Sequence, residues 1–232
     1  MKILETVLKY DNHWKPKEAA FSASQLSTAS NYQLWLTQEG REQNHEIPLE
    51  LQIPSKIGTG FHMIAEEALQ EFDNVYTELQ MVNYIGDYMV SGTPDVVYFE
   101  DDMWIVGDYK TKGTYQMKKA IMEGVDEVKL QMSIYAYLFS KTKEVPMPII
   151  GEVYLIHVGD KGWFTKKEIE KLMIPEKSTV PKYFTATVDL YGADEVESIV
   201  REKLETIVDE PELDCEVWRC NYCKFDCEFR TE

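Results

Sequence analysis

The sequence lacks the features that would place the chain in a membrane or in an oxidising compartment. No apolar run among its 232 residues approaches the roughly 18 residues that a membrane-spanning helix needs. Residues 1–5 do not lead into the long apolar region of a signal peptide. We therefore expect a cytoplasmic protein without a membrane partner, in which disulfide bonds between the four cysteines are unattractive.

An excess of basic residues is also missing. The chain has 24 Lys and Arg residues against 41 Asp and Glu residues, a net charge of −17. Such a charge argues against a protein that coats nucleic acid by bulk electrostatics. A local groove remains compatible with it, and candidate lysines for such a groove are Lys112, Lys118, Lys119 and Lys129. The acidity predicts weak, salt-sensitive affinity for nucleic acid or help from a partner.

Internal repeats and low-complexity segments are absent, and the remaining pattern predicts a single α/β core. The 44% hydrophobic content is enough for one substantial core and a small appendage. The pattern predicts helices at 22–38, 57–72, 127–141, 165–172 and 193–208, strands at 75–85, 88–99, 103–110, 150–158 and 182–190, and a loop at 39–54. This order predicts a mixed sheet flanked by helices.

Two acids and a lysine follow apolar segments in the middle of the chain. Asp95 closes Gly-Thr-Pro-Asp before a Val-Val-Tyr-Phe run, and Asp108 and Lys110 follow Trp-Ile-Val-Gly. Strand side chains alternate, so Asp108 and Lys110 point to one face and Tyr109 to the other. Buried carboxylates are costly unless they are paired or bind metal. Carboxylates beside an ammonium suit a divalent metal and a phosphodiester, whereas Asp-x-Lys alone is common on surfaces.

Two helices carry further polar side chains at suitable spacing. His62 lies on or near the apolar stripe of helix 57–72, where it is either a core histidine or a metal ligand. Gln131 and Tyr135 stand four residues apart on one face of helix 127–141, which is also compatible with a half-buried helix face.

In this order the motifs resemble the PD-(D/E)XK nuclease superfamily, and within it the RecB-like exonuclease branch. Residues 22–26 also resemble the Ser-x-Ser-x-Leu segment that opens many of these domains. The resemblance implies a restriction-endonuclease-like core with Mg²⁺ or Mn²⁺ at the site. It assigns metal binding to His62, Asp95, Asp108 and the carbonyl of Tyr109, catalysis to Lys110, and site support or DNA contact to Gln131 and Tyr135. Glu78 lies where some relatives carry another acid, although this match is loose.

All four cysteines fall within one short segment, as Cys215-x4-Cys220-x2-Cys223-x3-Cys227. Cysteines so confined predict one tetrathiolate site, which suits an iron–sulfur cluster or zinc, and the shortness of the segment favours the cluster. We therefore divide the chain into a nuclease-like domain, 1–210, with an N-terminal helical segment, and a cysteine-cluster tail, 211–232.

Relatives add both support and a difficulty for this tail. Several RecB-like exonucleases, including CRISPR-associated ones with four cysteines, hold a [4Fe-4S] cluster through one N-terminal and three C-terminal cysteines. Here no cysteine stands near Tyr32, where the N-terminal one is expected. Cys215 would then supply the fourth ligand, and the centre would fold only the tail. Zinc remains the alternative.

The resemblance implies a metal-dependent DNA exonuclease that acts on single strands or free ends. Its setting would be recombination, repair or phage replication in a bacterial or phage-infected cell, with a recombination, replication or CRISPR-adaptation partner. Two other interpretations remain open. One is an inactive nuclease-like module that recruits or inhibits, and the other is a zinc-stabilised adaptor, which would leave the central acids unexplained.

Overall fold

The computed structural model describes residues 19–41 and 49–207, together with Cys223 and Phe225. In chain order its elements are β1 (Phe21–Ser22), α1 (Ala23–Thr28), α2 (Asn31–Gln38), α3 (Leu49–Leu69), β2 (Val75–Thr77), β3 (Met81–Ile85), β4 (Tyr88–Gly92), β5 (Val96–Glu100), β6 (Met103–Lys112), α4 (Thr114–Glu123), a 3₁₀ turn (Asp126–Val128), α5 (Lys129–Lys143), β7 (Ile150–His157), α6 (Lys166–Leu172), β8 (Tyr183–Asp189) and α7 (Ala193–Glu205).

The strands form two mixed sheets. Five strands pair in the order β2-β5-β6-β7-β8, and β1, β4 and β3 form a smaller sheet in the order β1-β4-β3. Within the larger sheet β6 and β7 run parallel, whereas the other pairs are antiparallel. The predicted α/β class, a mixed sheet flanked by helices, is confirmed.

Helix α5 is the centre of the core. Each residue from Gln131 to Phe139 is buried, because α1, α7, β3 and β6 all pack against this helix. A helix that is covered on every side needs apolar residues all round, which explains its lack of a polar stripe. The two buried polar side chains at the start of this run, Gln131 and Ser133, are therefore held at fixed positions.

Two predicted strands are each broken, and both breaks lie at acids. The predicted strand 75–85 divides at Glu78, whose φ of +46° ends β2. The predicted strand 88–99 divides at residues 93–95, where Pro94 has no N–H for the ladder. The chain passes from one sheet to the other at each break, and the Glu78 N–H donates to the Asp95 carbonyl across 3.2 Å.

Three further expectations need correction. The predicted helix 22–38 is two helices, because Ser30 forms its own capping box and begins α2. The predicted loop 39–54 is wrong from residue 49, where α3 begins; Pro54 falls in its second turn and removes few helical bonds. Helix α4 was not predicted, since only Met117 and Ala120 of its ten residues are buried. From residue 103 onward the predicted elements lie within three residues of their observed bounds.

Among the described residues, no helix combines the length and the apolar character that crossing a membrane would demand.

Candidate active site

Strand register places three acids side by side. Thr77 pairs with Val96 between β2 and β5, and Val96 pairs with Gly107 between β5 and β6. One residue further along, Glu78 comes beside Asp95, and Asp95 comes beside Asp108. We call Glu78, Asp95 and Asp108 the acid row. It lies where the chain passes between the two sheets, into the smaller sheet after Glu78 and back into the larger sheet after Asp95.

His62 joins one end of the acid row from helix α3. Its Nδ1 lies 3.4 Å from Asp95 Oδ1 and 3.7 Å from Glu78 Oε1. Its Nε2 lies 3.2 Å from the carbonyl oxygen of Tyr109 and donates to it in this arrangement. The ligand atoms of His62, Glu78 and Asp95 all lie within 4.8 Å of one another, a group able to hold a metal ion.

Asp108 and Lys110 form the other end of the site. The Asp108 side chain is only 2% exposed, and Lys110 Nζ lies 2.9 Å from both of its oxygens. The ammonium donates a hydrogen bond to Oδ1, whereas Oδ2 accepts no hydrogen bond among the described residues. The predicted shared orientation of Asp108 and Lys110 is what allows this pair to form.

The local electrostatics differ between these two ends. Burial, followed by repulsion from Asp108, raises the pKa of Asp95 to about 7. Contact with Glu78 raises the pKa of His62 above its ordinary value, and Asp95 adds to this effect, although burial opposes it. Burial acts to lower the pKa of Lys110, but Asp108 and Asp95 outweigh it, so the pKa is raised and the ammonium persists.

Asp95 is also fixed by the backbone around it. The Tyr109 N–H donates to Asp95 Oδ2 across 2.5 Å. The Tyr109 ring packs on the opposite side of β6 against Phe61 and Tyr154, with ring centroids 5.5 and 5.3 Å away. The Tyr109 backbone therefore lies between Asp95, to which its N–H donates, and His62, from which its carbonyl accepts a hydrogen bond.

Gln131 and Tyr135 are brought together on the buried face of α5. Gln131 Nε2 donates to the Tyr135 hydroxyl across 2.7 Å, and both side chains are buried. Burial, together with the negative charges of Asp108 and Asp95, raises the pKa of Tyr135, so its hydroxyl stays protonated beside the acid row. A methyl group at Gly92 would lie 2.9 Å from the Tyr135 ring, so this close approach requires glycine.

The residues present fit a hard divalent cation. Carboxylate oxygens, a backbone carbonyl and an imidazole form a donor set that suits Mg²⁺ or Mn²⁺. Asp108 Oδ2 is buried and accepts no hydrogen bond from any described residue, although Lys110 Nζ lies 2.9 Å away, so this oxygen keeps a lone pair that an ion could use. The three ligand atoms that lie close together belong to His62, Glu78 and Asp95, and this group does not include Asp108. For Glu78 the resemblance to the family was loose. The positive φ that turns Glu78 into the site has no sequence signal, since glutamate rarely adopts it.

The lysines expected to form a groove are arranged differently. Lys118 is paired with Glu168 at 2.9 Å, and Lys129 lies over the Tyr191 ring at 4.2 Å from its centroid. Lys112 lies 3.7 Å from Glu127, and Lys119 is exposed. These contacts leave Lys118 and Lys129 poorly suited to a phosphate backbone.

Of the predicted tail ligands, Cys223 lies within the described part of the chain, whereas Cys215, Cys220 and Cys227 lie outside it. Gln33 Nε2 donates to Cys223 Sγ across 3.4 Å. Phe225 is buried with Tyr32 and Leu36 of α2. The two described residues of the tail, Cys223 and Phe225, therefore contact α2, whereas the sequence led us to expect a tail folded only upon itself.

Comparison with known proteins identifies the family of the chain. No curated protein sequence matches the chain. The crystal structure of SSO0001 superposes with a TM-score of 0.57 at 15% identity, covering 100% of this chain and 96% of that one, which supports the fold. The crystal structure of a phage related exonuclease from Haemophilus somnus 129PT has a TM-score of 0.45 at 8% identity and covers 88% of each chain. The model of the PD-(D/E)XK nuclease superfamily matches residues 5–227. With the acid row and the Asp108–Lys110 pair at its centre, the chain belongs to the PD-(D/E)XK nuclease superfamily.

Proposed function

We propose that this chain is a Mg²⁺- or Mn²⁺-dependent deoxyribonuclease that removes nucleotides from DNA ends. The observation that carries the proposal is the buried Asp108–Lys110 pair, which lies beside Asp95 and the imidazole of His62. A charged pair that is 2% exposed at its carboxylate is costly to bury. Chemistry on a phosphodiester gives a physical reason to keep it.

In this proposal His62, Asp95, Asp108 and the Tyr109 carbonyl hold the ion, and Glu78 completes the set. When bound, the ion supplies Lewis acidity to a phosphoryl oxygen and lowers the pKa of a coordinated water. Two backbone hydrogen bonds fix Asp95. The Tyr109 N–H donates to Asp95 Oδ2, and the Glu78 N–H donates to the backbone carbonyl of Asp95. Fixed ligands lose little freedom when the substrate arrives.

Lys110 is the proposed catalytic cation. Its raised pKa keeps the side chain charged. An ammonium has three N–H donors, so it can donate one hydrogen bond to Asp108 and another to the attacking water or to the phosphate. It is not a metal ligand, since an ammonium has no lone pair. Gln131 and Tyr135 are proposed to support the site from beneath, because their mutual hydrogen bond fixes the wall that faces the acids.

The finer assignment is to the RecB-like branch, acting in recombination, repair or phage replication in a bacterial or phage-infected cytoplasm. It rests on the order of motifs from residue 22 to Tyr135 and on the cysteine tail. A replication, recombination or CRISPR-adaptation partner would help an acidic protein to stay on DNA.

For the tail we propose a [4Fe-4S] cluster held by Cys215, Cys220, Cys223 and Cys227, with zinc as the alternative. The amide of Gln33 supports it, because its Nε2 donates to Cys223 Sγ, the kind of hydrogen bond that surrounds a metal-bound sulfur. Freshly isolated protein would then be brown and carry about four irons per chain. One zinc per chain in colourless protein would replace the cluster with zinc.

Digestion of end-labelled DNA tests the proposed function. With Mn²⁺ we expect stepwise loss of nucleotides from the ends of linear DNA, and no reaction in EDTA. Covalently closed circular DNA is the matched control, since an exonuclease leaves it intact. Cleavage of the circle would show an endonuclease, and failure to cleave any DNA would contradict the proposal.

A further inference from the structure

The basic residues of this acidic chain are concentrated in one part of the sequence. Thirteen of the 24 basic residues and nine of the 41 acidic residues lie between positions 110 and 182, giving this segment a net charge of +4. The rest of the chain therefore carries −21. The basic segment begins at Lys110, so the region with a potential that attracts a polyanion adjoins the proposed site.

Two parts of this segment meet at the carboxyl end of β6. The loop after β7 hydrogen-bonds to the end of β6, since the Val158 N–H donates to the Lys112 carbonyl across 3.1 Å. The Thr114 hydroxyl lies 2.9 Å from His157 Nε2. A methyl group at Gly162 would lie 2.3 Å from the Thr114 side chain, so the loop can approach α4 this closely only with glycine there.

The start of β8 joins the same place. The His157 N–H donates to the Lys182 carbonyl across 2.9 Å, and Lys182 Nζ donates to the Gly159 carbonyl across 3.2 Å. Tyr183 pairs with Ile156 at the end of β7. Three segments of the chain, the start of α4, the loop after β7 and the start of β8, are therefore neighbours.

Each of these three segments carries an exposed aromatic side chain. Tyr115 is 75% exposed, Trp163 is 52% exposed and Tyr183 is 81% exposed. Lys161 Nζ lies 4.8 Å from the Trp163 ring centroid, so a cation already covers part of this ring. Tyr183 pairs with Ile156, and side chains alternate along a strand, so its ring projects from the face of the sheet opposite to Lys112. We define the aromatic–lysine surface by its five members, Tyr115, Trp163, Lys112, Lys161 and Lys182.

We propose that the aromatic–lysine surface binds single-stranded DNA and delivers it to the acid row. The inference rests on the proposed function and adds the strandedness of the substrate. Exposed rings stack on the faces of unpaired bases, and lysines between them bind the phosphates. In a duplex those faces are stacked on neighbouring base pairs, so exposed rings add little to the affinity for double-stranded DNA. Charge complementarity favours DNA over a protein partner, because the surface belongs to the one basic segment of an acidic chain.

Strand β6 connects this surface to the site. Lys112 follows Lys110 by two residues and therefore lies on the same face, about 7 Å further along the strand. A strand of DNA that contacts Lys112 would have its next phosphates within reach of Lys110 and Asp108. The surface is thus continuous with the place where cleavage is proposed.

Binding without metal tests the proposal apart from cleavage. Fluorescence anisotropy in EDTA would compare a labelled oligothymidylate with a blunt duplex of equal length. Replacing Tyr115 and Trp163 together by alanine should weaken single-strand binding by about thirtyfold or more, the effect of losing two stacked bases, and leave duplex binding unchanged. Trp163→Phe should retain binding to within about threefold, since it keeps a ring.

Tyr84→Ala is the matched control. Tyr84 is 55% exposed on β3 in the smaller sheet, and its loss should leave single-strand affinity unchanged. Circular dichroism checks that each variant is folded. If the double variant is unfolded, the affinity of Trp163→Phe is compared with that of the unaltered protein instead. Unchanged single-strand affinity in the double variant, or no measurable single-strand binding by the unaltered protein, would overturn the proposal. So would equal losses for single strand and duplex, or displacement of the oligonucleotide by polyglutamate as effectively as by unlabelled oligothymidylate.

The two proposals fail separately. If the unaltered protein cleaves DNA with Mn²⁺ while the double variant binds single strands normally, the aromatic–lysine surface is wrong and the nuclease stands. If the unaltered protein cleaves nothing, yet its single-strand binding depends on Tyr115 and Trp163, the surface stands in a binding module and the nuclease is wrong.

Discussion

The two aspartates of the acid row, Asp95 in its middle and Asp108 at its end, are stabilised in opposite ways. Asp108 is almost completely buried and is balanced by the ammonium of Lys110. Asp95, whose side chain is 11% exposed, has an imidazole and two further carboxylates as neighbours, and its pKa is raised to about 7. The chain has thus provided a permanent counter-charge for one aspartate and has left the other to a proton or a metal ion.

This difference separates two tasks that a nuclease must combine. The group around Asp95 collects ligand atoms at the cost of unfavourable charge, which a bound cation relieves. The Asp108 end places one cation, Lys110, where it stays charged without the metal. Substitutions around the two aspartates should therefore differ in kind as well as in size.

Asp108→Asn should have the largest effect on activity. The amide keeps the shape and can still accept from Lys110, but it removes the negative charge that both Lys110 and the ion require. We expect cleavage to fall by on the order of a thousandfold or more. The thermal midpoint should fall, because Lys110 loses its counter-charge, although relief of the repulsion on Asp95 opposes this loss. Single-turnover digestion and a thermal melt measure the two. Near-normal cleavage would remove Asp108 from the site.

Lys110→Met should reduce turnover by roughly a hundred- to a thousandfold while the protein still binds Mn²⁺. The long apolar side chain fills similar space, so packing along β6 is kept. Because the lysine opposes a second cation, its removal should leave Mn²⁺ affinity unchanged or increased, as calorimetry can show. Loss of the binding isotherm in this variant would mean that Lys110 organises the ligands and is not primarily catalytic.

These two substitutions also show how far sequence alone could go. The spacing of Asp108 and Lys110 along a strand was enough to predict that they share a face, since alternation is a local property. The row of Glu78, Asp95 and Asp108 depends on register between three strands and on two breaks in the chain. Neither is local: the φ of Glu78 and the separation of β2 from β3 are set by tertiary packing.

The same limit explains what was missed beyond the site. Trp163 is far from Tyr115 in sequence, and the two become neighbours only because the loop after β7 packs on Thr114. Helix α4 was missed because only two of its ten residues, Met117 and Ala120, are buried, so its apolar stripe is short. Single residues such as Gln131 and Tyr135 were found because four-residue spacing on a helix brings them together without help from the rest of the fold.

A change of pH should act on Asp95. In the metal-free protein the folded pKa of Asp95, about 7, exceeds its unfolded value, so the folded state holds the proton more tightly. Its contribution to stability is greatest at low pH and is lost as the pH rises towards 7. Mn²⁺ competes with that proton, so affinity should rise by up to about tenfold per pH unit below 7 and level off above it.

Calorimetry between pH 5.5 and 8 in the unaltered protein and in Asp108→Asn sharpens this result. Repulsion from Asp108 is one cause of the raised pKa, so the curve should shift to lower pH in the variant. A flat profile in the unaltered protein would show that Asp95 is already ionised without metal. An identical profile in both proteins would show that the two aspartates do not influence each other.

The smallest effect on cleavage is expected far from both aspartates, at Cys223→Ser. Cys223 Sγ lies against Gln33, and Phe225 is buried beside Tyr32 on α2, so this part of the tail is attached to a helix that contributes no ligand to the acid row. A serine would weaken a thiolate-bound metal centre and its hold on the tail, since metal binding to the folded state adds directly to stability. We expect loss of iron or zinc and faster proteolysis of the tail, with cleavage within about twofold of normal. Gln33→Ala is the matched control, because it removes the donor and keeps the thiol, and it should change metal content less. Cleavage that fell as far as in Asp108→Asn would show that the tail and the acid row act as one unit.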